Sequence, residues 1–225
     1  MLLLQPDDGP ATEFSLKERN TKGSHAESLK GKVVLSKPTV LNLEQRLIGD
    51  DQLLEAEVNQ MKNKYHYFFV ALSCSFAPAQ NERFESAEVS ITLQSDDTSL
   101  PSVHSMRPAQ MVDTETLTKS AKIGADLCFI SELSRVQEVE KKHLFLSTFL
   151  ANRKAYWLFT HTNASNILGT FPLQLIVKLP VTSVGFRGEV NMSIRVGKKR
   201  FYLFWQKNHV NHHAPITFRG EVDNE

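Results

Sequence analysis

Three histidines, His209, His212 and His213, fall close together near the end of the chain. Imidazoles at such spacings can converge on zinc when the backbone folds them together. Glu189 or Glu221 would add a carboxylate ligand only if the fold brings it near. The usual companions are missing, because no cysteine pair lies close by and no His-Glu-x-x-His pattern occurs. Slightly earlier, Lys198, Lys199 and Arg200 lead into Tyr202 and Phe204. Bases followed by aromatics offer charge for phosphates and rings for stacked bases. The same alternation also describes a half-buried strand with a basic tip. A protein partner is therefore favoured over nucleic acid for Lys198, Lys199, Arg200 and Tyr202. Tyr156 and Trp157, of residue types that anchor interfaces, precede a polar loop and are further partner-binding candidates.

Groups suited to catalysis do not assemble into a pattern. Cys74 lies in an alternating apolar run, which predicts a buried thiol poorly suited to attack. His104 precedes Ser105, but neighbours on a regular strand point to opposite faces and cannot form a dyad. There is no G-x-S-x-G elbow and no G-x-x-x-x-G-K-[ST] phosphate loop. The acids and bases between Glu132 and Lys142 read as a solvated charged segment. The pattern favours a protein that is not an enzyme and implies no cofactor.

Composition sets the class. The 225 residues carry 26 basic and 25 acidic side chains, a formal net charge of +1, so no global field draws the chain to nucleic acid. With 41% hydrophobic and 23% charged residues, a packed core is expected. Two cysteines, Cys74 and Cys128, do not make a disulfide scaffold. The opening "MLLL" is too short for a signal-peptide core, and no stretch approaches the ~20 apolar residues of a spanning helix. The expected location is the cytoplasm.

The elements that must position these side chains are mostly strands. Residues 1–32 are polar and aperiodic, and are expected to form a mobile lead-in with short ordered pieces around Phe14 and Leu16. Residues 33–225 are expected to form a single domain. Between 42 and 64 the pattern turns helical. Asn42 with Gln45 resembles a capping box, and Leu54, Val58 and Met61 fall on one helix face. Beyond Lys64 the period becomes two. Phe68, Val70, Leu72, Cys74 and Phe76 share a face, as do Ala87, Val89, Ile91 and Leu93. Residues 117–129 predict a long strand, 131–142 a helical turn or wide loop, and "HLFLSTFLA", "AYWLFT", "FPLQLIVKLP" and "EVNMSIRV" further strands. Pro172 marks either the start of its strand or an edge. The fold class is mainly β: an antiparallel β-sandwich with one or two short helices in the N-terminal third.

The final hairpin has a predicted register. A loop at Gly197–Arg200 pairs Val196 with Phe201, Ile194 with Leu203 and Met192 with Trp205, and it avoids setting Arg195 against Arg200. Phe201, Leu203 and Trp205 are then core residues, and Asn208 to Pro215 is a polar exit loop. The favoured function is a non-catalytic binding or protein-interaction module, an accessory subunit of a larger assembly, using loops at 95–113, 160–169 and 197–215. Two alternatives stand beside it. One is a membrane-active, pore-forming-like β protein built on "FYLFW", "HLFLSTFLA" and "FPLQLIVKLP". The other is a metal-dependent enzyme using His209, His212 and His213.

Overall fold

The computed structural model describes residues 12–15, 30–43, 52–95, 99–121, 135–163, 166–200 and 204–222; at 12–15, 52–54, 112–121, 135–144, 199–200 and 204–215 it describes the backbone alone. The chain is mainly β, with antiparallel sheets and one helix among the described residues. Sheet A contains β1 (Thr12–Ser15), β2 (Lys32–Leu35), β4 (Tyr65–Ala77), β10 (Gly169–Pro180) and β6 (Ser102–Arg107) in that order, with β3 (Thr39–Asn42) also on β4. Sheet B runs β12 (Phe204–Glu221), β11 (Gly185–Arg200), β5 (Glu82–Gln94), β9 (Lys154–Thr160), β8 (Arg135–Ala151), β7 (Gln110–Ala121). The lead-in contributes β1, where Phe14 pairs with Val33.

Alternation in the sequence becomes two facing apolar surfaces. Phe68, Val70, Leu72, Cys74 and Phe76 of β4 are buried, as are Leu173, Leu175, Val177 and Leu179 of β10. From the other sheet come Phe84, Ala87, Val89, Ile91 and Leu93 of β5 and Val190, Met192, Ile194 and Val196 of β11. All belong to one continuous core, as the expected sandwich requires. Ring contacts cross from sheet to sheet: Phe76 to Phe84 at 5.6 Å, Phe76 to Phe159 at 5.2 Å, and Phe68 to Phe186 at 5.2 Å. Edge-on rings at these distances add about 0.5–1.5 kcal/mol each beyond their burial.

Two cross-strand pairs match a glycine with an aromatic. Gly188 faces Phe218 and Gly220 faces Phe186 between β11 and β12. Each ring lies over its glycine, where a Cβ would stand 1.9 Å from Phe218 Cζ or 2.2 Å from Phe186 Cε1. Side-chain–free positions are needed here for close approach, not for an unusual backbone angle.

Several elements depart from expectation. Asn42 ends β3, pairing with Phe68, and the next amide, Leu43 N–H, donates to the Tyr67 carbonyl, while Gln45 of the expected capping box lies outside the described residues. The helix α1 is Gln52–Met61, and residues 44–51 before it lie outside the described residues. The segment 131–142 is strand from Arg135 onward. There β8 pairs with β7 in a register that sets Glu115 opposite Lys141 and Asp113 opposite His143. The strand expected at 117–129 is described only to Ala121. Pro172 lies inside β10, yet β6 reaches only to Gln174. On that side the strand is an edge at Pro172, which a residue without an N–H tolerates.

Candidate functional site

The basic tip and the histidine loop are reorganised by the hairpin. Val196 pairs with Asn208, Ile194 with Val210 and Met192 with His212. The expected partners of these residues were Phe201, Leu203 and Trp205, so the register slips by seven residues. An odd slip moves alternate positions to the other face. The longer hairpin pairs backbone out to Arg200 and Phe204, satisfying groups that a loop at Gly197 would leave to solvent. Gly197 is therefore no turn: it pairs with Lys207 and, across β5, with Arg83. Lys198 is a half-buried strand residue matched to Glu82 and Gln206. Lys199 and Arg200 end β11, with side chains outside the described residues, and Tyr202, Phe201 and Leu203 lie wholly outside them.

The stretch 208–215 is strand rather than exit loop. His209 is matched to Arg195 and His212 to Met192 in one regular run, so the two positions belong to opposite faces. His213 follows in the irregular stretch between the Met192 and Val190 pairings.

Tyr156 and Trp157 go to opposite faces of β9. Trp157 is 0% exposed in the core, which removes it from any surface contact. Its Nε1 has no hydrogen-bond partner. Tyr156 lies on the outer face of sheet B, opposite Phe149 of β8 and Ser90 of β5, with Asn191 of β11 next in the row. Phe149 is 58% exposed. Leu158, two residues from Tyr156, faces Ser147 and Glu88 on the same side. The result is a small aromatic and aliphatic patch bordered by hydroxyl, amide and carboxylate groups. Phe149 lay in a run read as buried on both faces, and only the pairing register reveals its exposure.

The outer face of sheet A carries a polar cluster that sequence reasoning missed. His104 is the extra residue of a β-bulge: Ile176 pairs with Ser105 and Val177 with Val103. The bulge breaks the alternation assumed for His104 and Ser105 and re-aims the imidazole. His104 Nε2 lies 3.2 Å from Glu57 Oε2 of α1, and its ring meets Tyr67 edge-on at 5.9 Å. The Tyr67 hydroxyl donates to Glu57 Oε1 at 3.3 Å. The Lys178 ammonium sits 4.2 Å from the centre of the Tyr65 ring and 5.8 Å from that of Tyr67. Burial, and then the adjacent Glu57 carboxylate, push the Tyr67 phenol up to about 12. A phenol held this firmly protonated serves as a hydrogen-bond donor, not as a base. On the core side of β4, burial drives the Cys74 thiol far above its ordinary range, as expected of an inert cysteine.

Of the strands of the membrane reading, "HLFLSTFLA" lies in β8 and "FPLQLIVKLP" in β10, while Phe201, Tyr202 and Leu203 of "FYLFW" lie outside the described residues. The apolar face of β10 is consumed by the core. In the β7–β8 ribbon, one row of pairs is Thr114–Lys142, Thr116–Glu140 and Thr118–Glu138, and the other includes Asp113–His143, Glu115–Lys141 and Lys119–Gln137.

The chain matches no protein-family model, and no curated protein is similar to it. Among solved structures, the Clostridium perfringens NetB toxin in its membrane-inserted form is similar at a TM-score of 0.33 and 6% identity, over 93% of this chain and 94% of that one. A pore forming protein is similar at 0.36 and 7%, over 93% and 90%. The collagen-binding domain of a Staphylococcus aureus adhesin is similar at 0.28 and 8%, over 72% and 89%. At TM-scores this low, none of these likenesses carries an argument about what the chain does.

Proposed function

We propose that the protein is a non-catalytic binding module that engages a protein partner through the outer face of sheet B, as an accessory subunit of a larger assembly. The observation that carries this reading is the row formed by exposed Phe149 and Tyr156, with Leu158 alongside and Ser90 and Asn191 at its border. A contiguous apolar patch with a polar rim is the usual composition of an interface centre, whereas singly scattered apolar side chains are ordinary surface. Tyrosine adds a large contact area and a hydroxyl for pairing. A rigid sheet holds the patch in place before binding, which limits the ordering cost of association.

The test is native co-purification with quantitative mass spectrometry on three full-length chains: wild type, a Phe149→Ser/Tyr156→Ser variant, and Val184→Ser as a control at an exposed loop position. A stoichiometric partner kept by wild type and by the control, and lost by the double variant, supports the reading. The same partner retained by all three, or a wild-type chain that is monomeric without any stoichiometric partner, overturns it.

A further inference from the structure

In helix α1, Val58 is buried, Met61 is half-buried, and Ala56, Asn59 and Gln60 are exposed. At ten residues α1 is shorter than the ~12–15 that a helix needs to be even marginally stable alone, so docking is what keeps it helical. The polar side of that docking is Glu57, whose two carboxylate oxygens are separately engaged by the Tyr67 hydroxyl and by His104. Lys178, over the rings of Tyr65 and Tyr67, adds a positive charge to the same notch. Beside it runs a row of half-buried apolar side chains in register across three strands, Leu41, Phe69 and Ile176. The sheet therefore presents a carboxylate receptor next to an apolar strip. Those features complement one turn of an acidic amphipathic helix in both charge and apolarity. The C-terminal end of α1 is anchored independently: Lys64 N–H donates to the Met61 carbonyl, and the Lys64 carbonyl accepts from Val181 N–H. Release of α1 would leave this anchor and the sheet intact.

We propose that this notch is a docking site for an acidic amphipathic helix of a partner protein, and that α1 is its occupant in cis, displaced when the partner binds. The site is separate from the sheet B patch and stands independently of it. An occupied site lowers the apparent affinity for any competitor by the fraction of molecules that are open. Weakening the cis occupant must therefore strengthen binding in trans.

The probe is a fluorescently labelled synthetic peptide of residues 52–61, QLLEAEVNQM, added to full-length chains and followed by anisotropy. The chains are wild type, Glu57→Gln/Val58→Ser to loosen α1, and the loosened chain with Lys178→Ala. Circular dichroism confirms the β core in each, and hydrogen exchange reports α1 opening. The loosened chain is expected to lose amide protection over 55–61 and to bind the peptide roughly tenfold more tightly than wild type. Lys178→Ala, or a peptide with glutamine in place of the Glu57 carboxylate, should reverse that gain. Undiminished protection of α1 in the loosened chain would overturn the proposal. So would equal binding to wild type and the loosened chain, no binding to an open chain, or equal binding by the glutamine peptide. If Glu57→Gln/Val58→Ser does not fold, Glu57→Gln alone is read by the same criteria.

Discussion

Replacing Gly188 by alanine places a Cβ where the Phe218 ring now lies, 1.9 Å from Cζ and 2.2 and 2.5 Å from Cε1 and Cε2. No real Cβ tolerates such distances, so the ring must leave its position over the β11 backbone. Phe218 is only 6% exposed and meets Phe186 edge-on at 6.2 Å. Overpacking of this kind costs about 1–3 kcal/mol, and loss of the ring pair about 0.5–1.5 kcal/mol more. Against this, alanine is favoured over glycine within regular secondary structure by about 0.5–1 kcal/mol. The expected net destabilisation is about 1–3 kcal/mol, read by urea unfolding. The decisive comparison is the double-mutant cycle. In a Phe218→Ala chain the clash is absent, so adding Gly188→Ala should be neutral or stabilising by about 0.5 kcal/mol. Gly169 is the control: its φ of +101° strains an alanine with nothing within 4 Å to clash, so its cost should not depend on Phe218. If Gly188→Ala cost the same with and without the Phe218 ring, close approach would not be the reason for that glycine.

Two titration predictions follow from the two faces of β4. Because the folded state holds the Tyr67 phenol near 12 against an ordinary value of 10.0, the contribution of Tyr67 to stability is complete below pH 10 and is lost as pH rises through 12. Absorbance near 295 nm should show one tyrosine ionising well above the ordinary phenol value of 10.0, and Glu57→Gln should bring it earlier; an unaltered curve refutes the coupling. In a Cys128→Ser chain, Cys74 should resist a thiol reagent at mildly alkaline pH until denaturant unfolds the sheets, since its thiol is buried and held protonated. Rapid modification of the native chain would refute that placement.

What could be read from the sequence was whatever depends on one strand at a time. The faces of β4, β5, β10 and β11 follow from a period of two, because a residue two positions along meets the same environment whatever the neighbouring strand is. Val58 was legible in the same way from the helical period. Where the answer depends on a partner strand, the sequence alone was insufficient. Phe201, Leu203 and Trp205 alternate as convincingly as any core series, yet the partners of Val196, Ile194 and Met192 lie seven residues further along. The charged half of β8 shows no apolar face and looked like a loop. It is a strand whose backbone pairs with β7 from Arg135 opposite Ala121 to His143 opposite Asp113, a relation its own pattern does not display.

The bulge at His104 shows why candidate sites were harder to read than elements. A bulge is a relation between two strands: it exists where Ile176 and Val177 of β10 meet Ser105 and Val103 of β6, and neither strand announces it alone. Regular alternation would separate His104 from Ser105 across the sheet. The extra residue instead turns the imidazole toward Tyr67 and Glu57, which come from β4 and α1. Convergence at this point thus depends on one irregularity in register. Removing the irregularity would disperse the cluster even with every member present. Deleting Val103, which restores an even count against β10 and sets His104 opposite the core-facing Val177, should therefore abolish the Glu57 contact as completely as removing Glu57 itself. The chemistry of this face resides in the pairing of its strands as much as in its side chains.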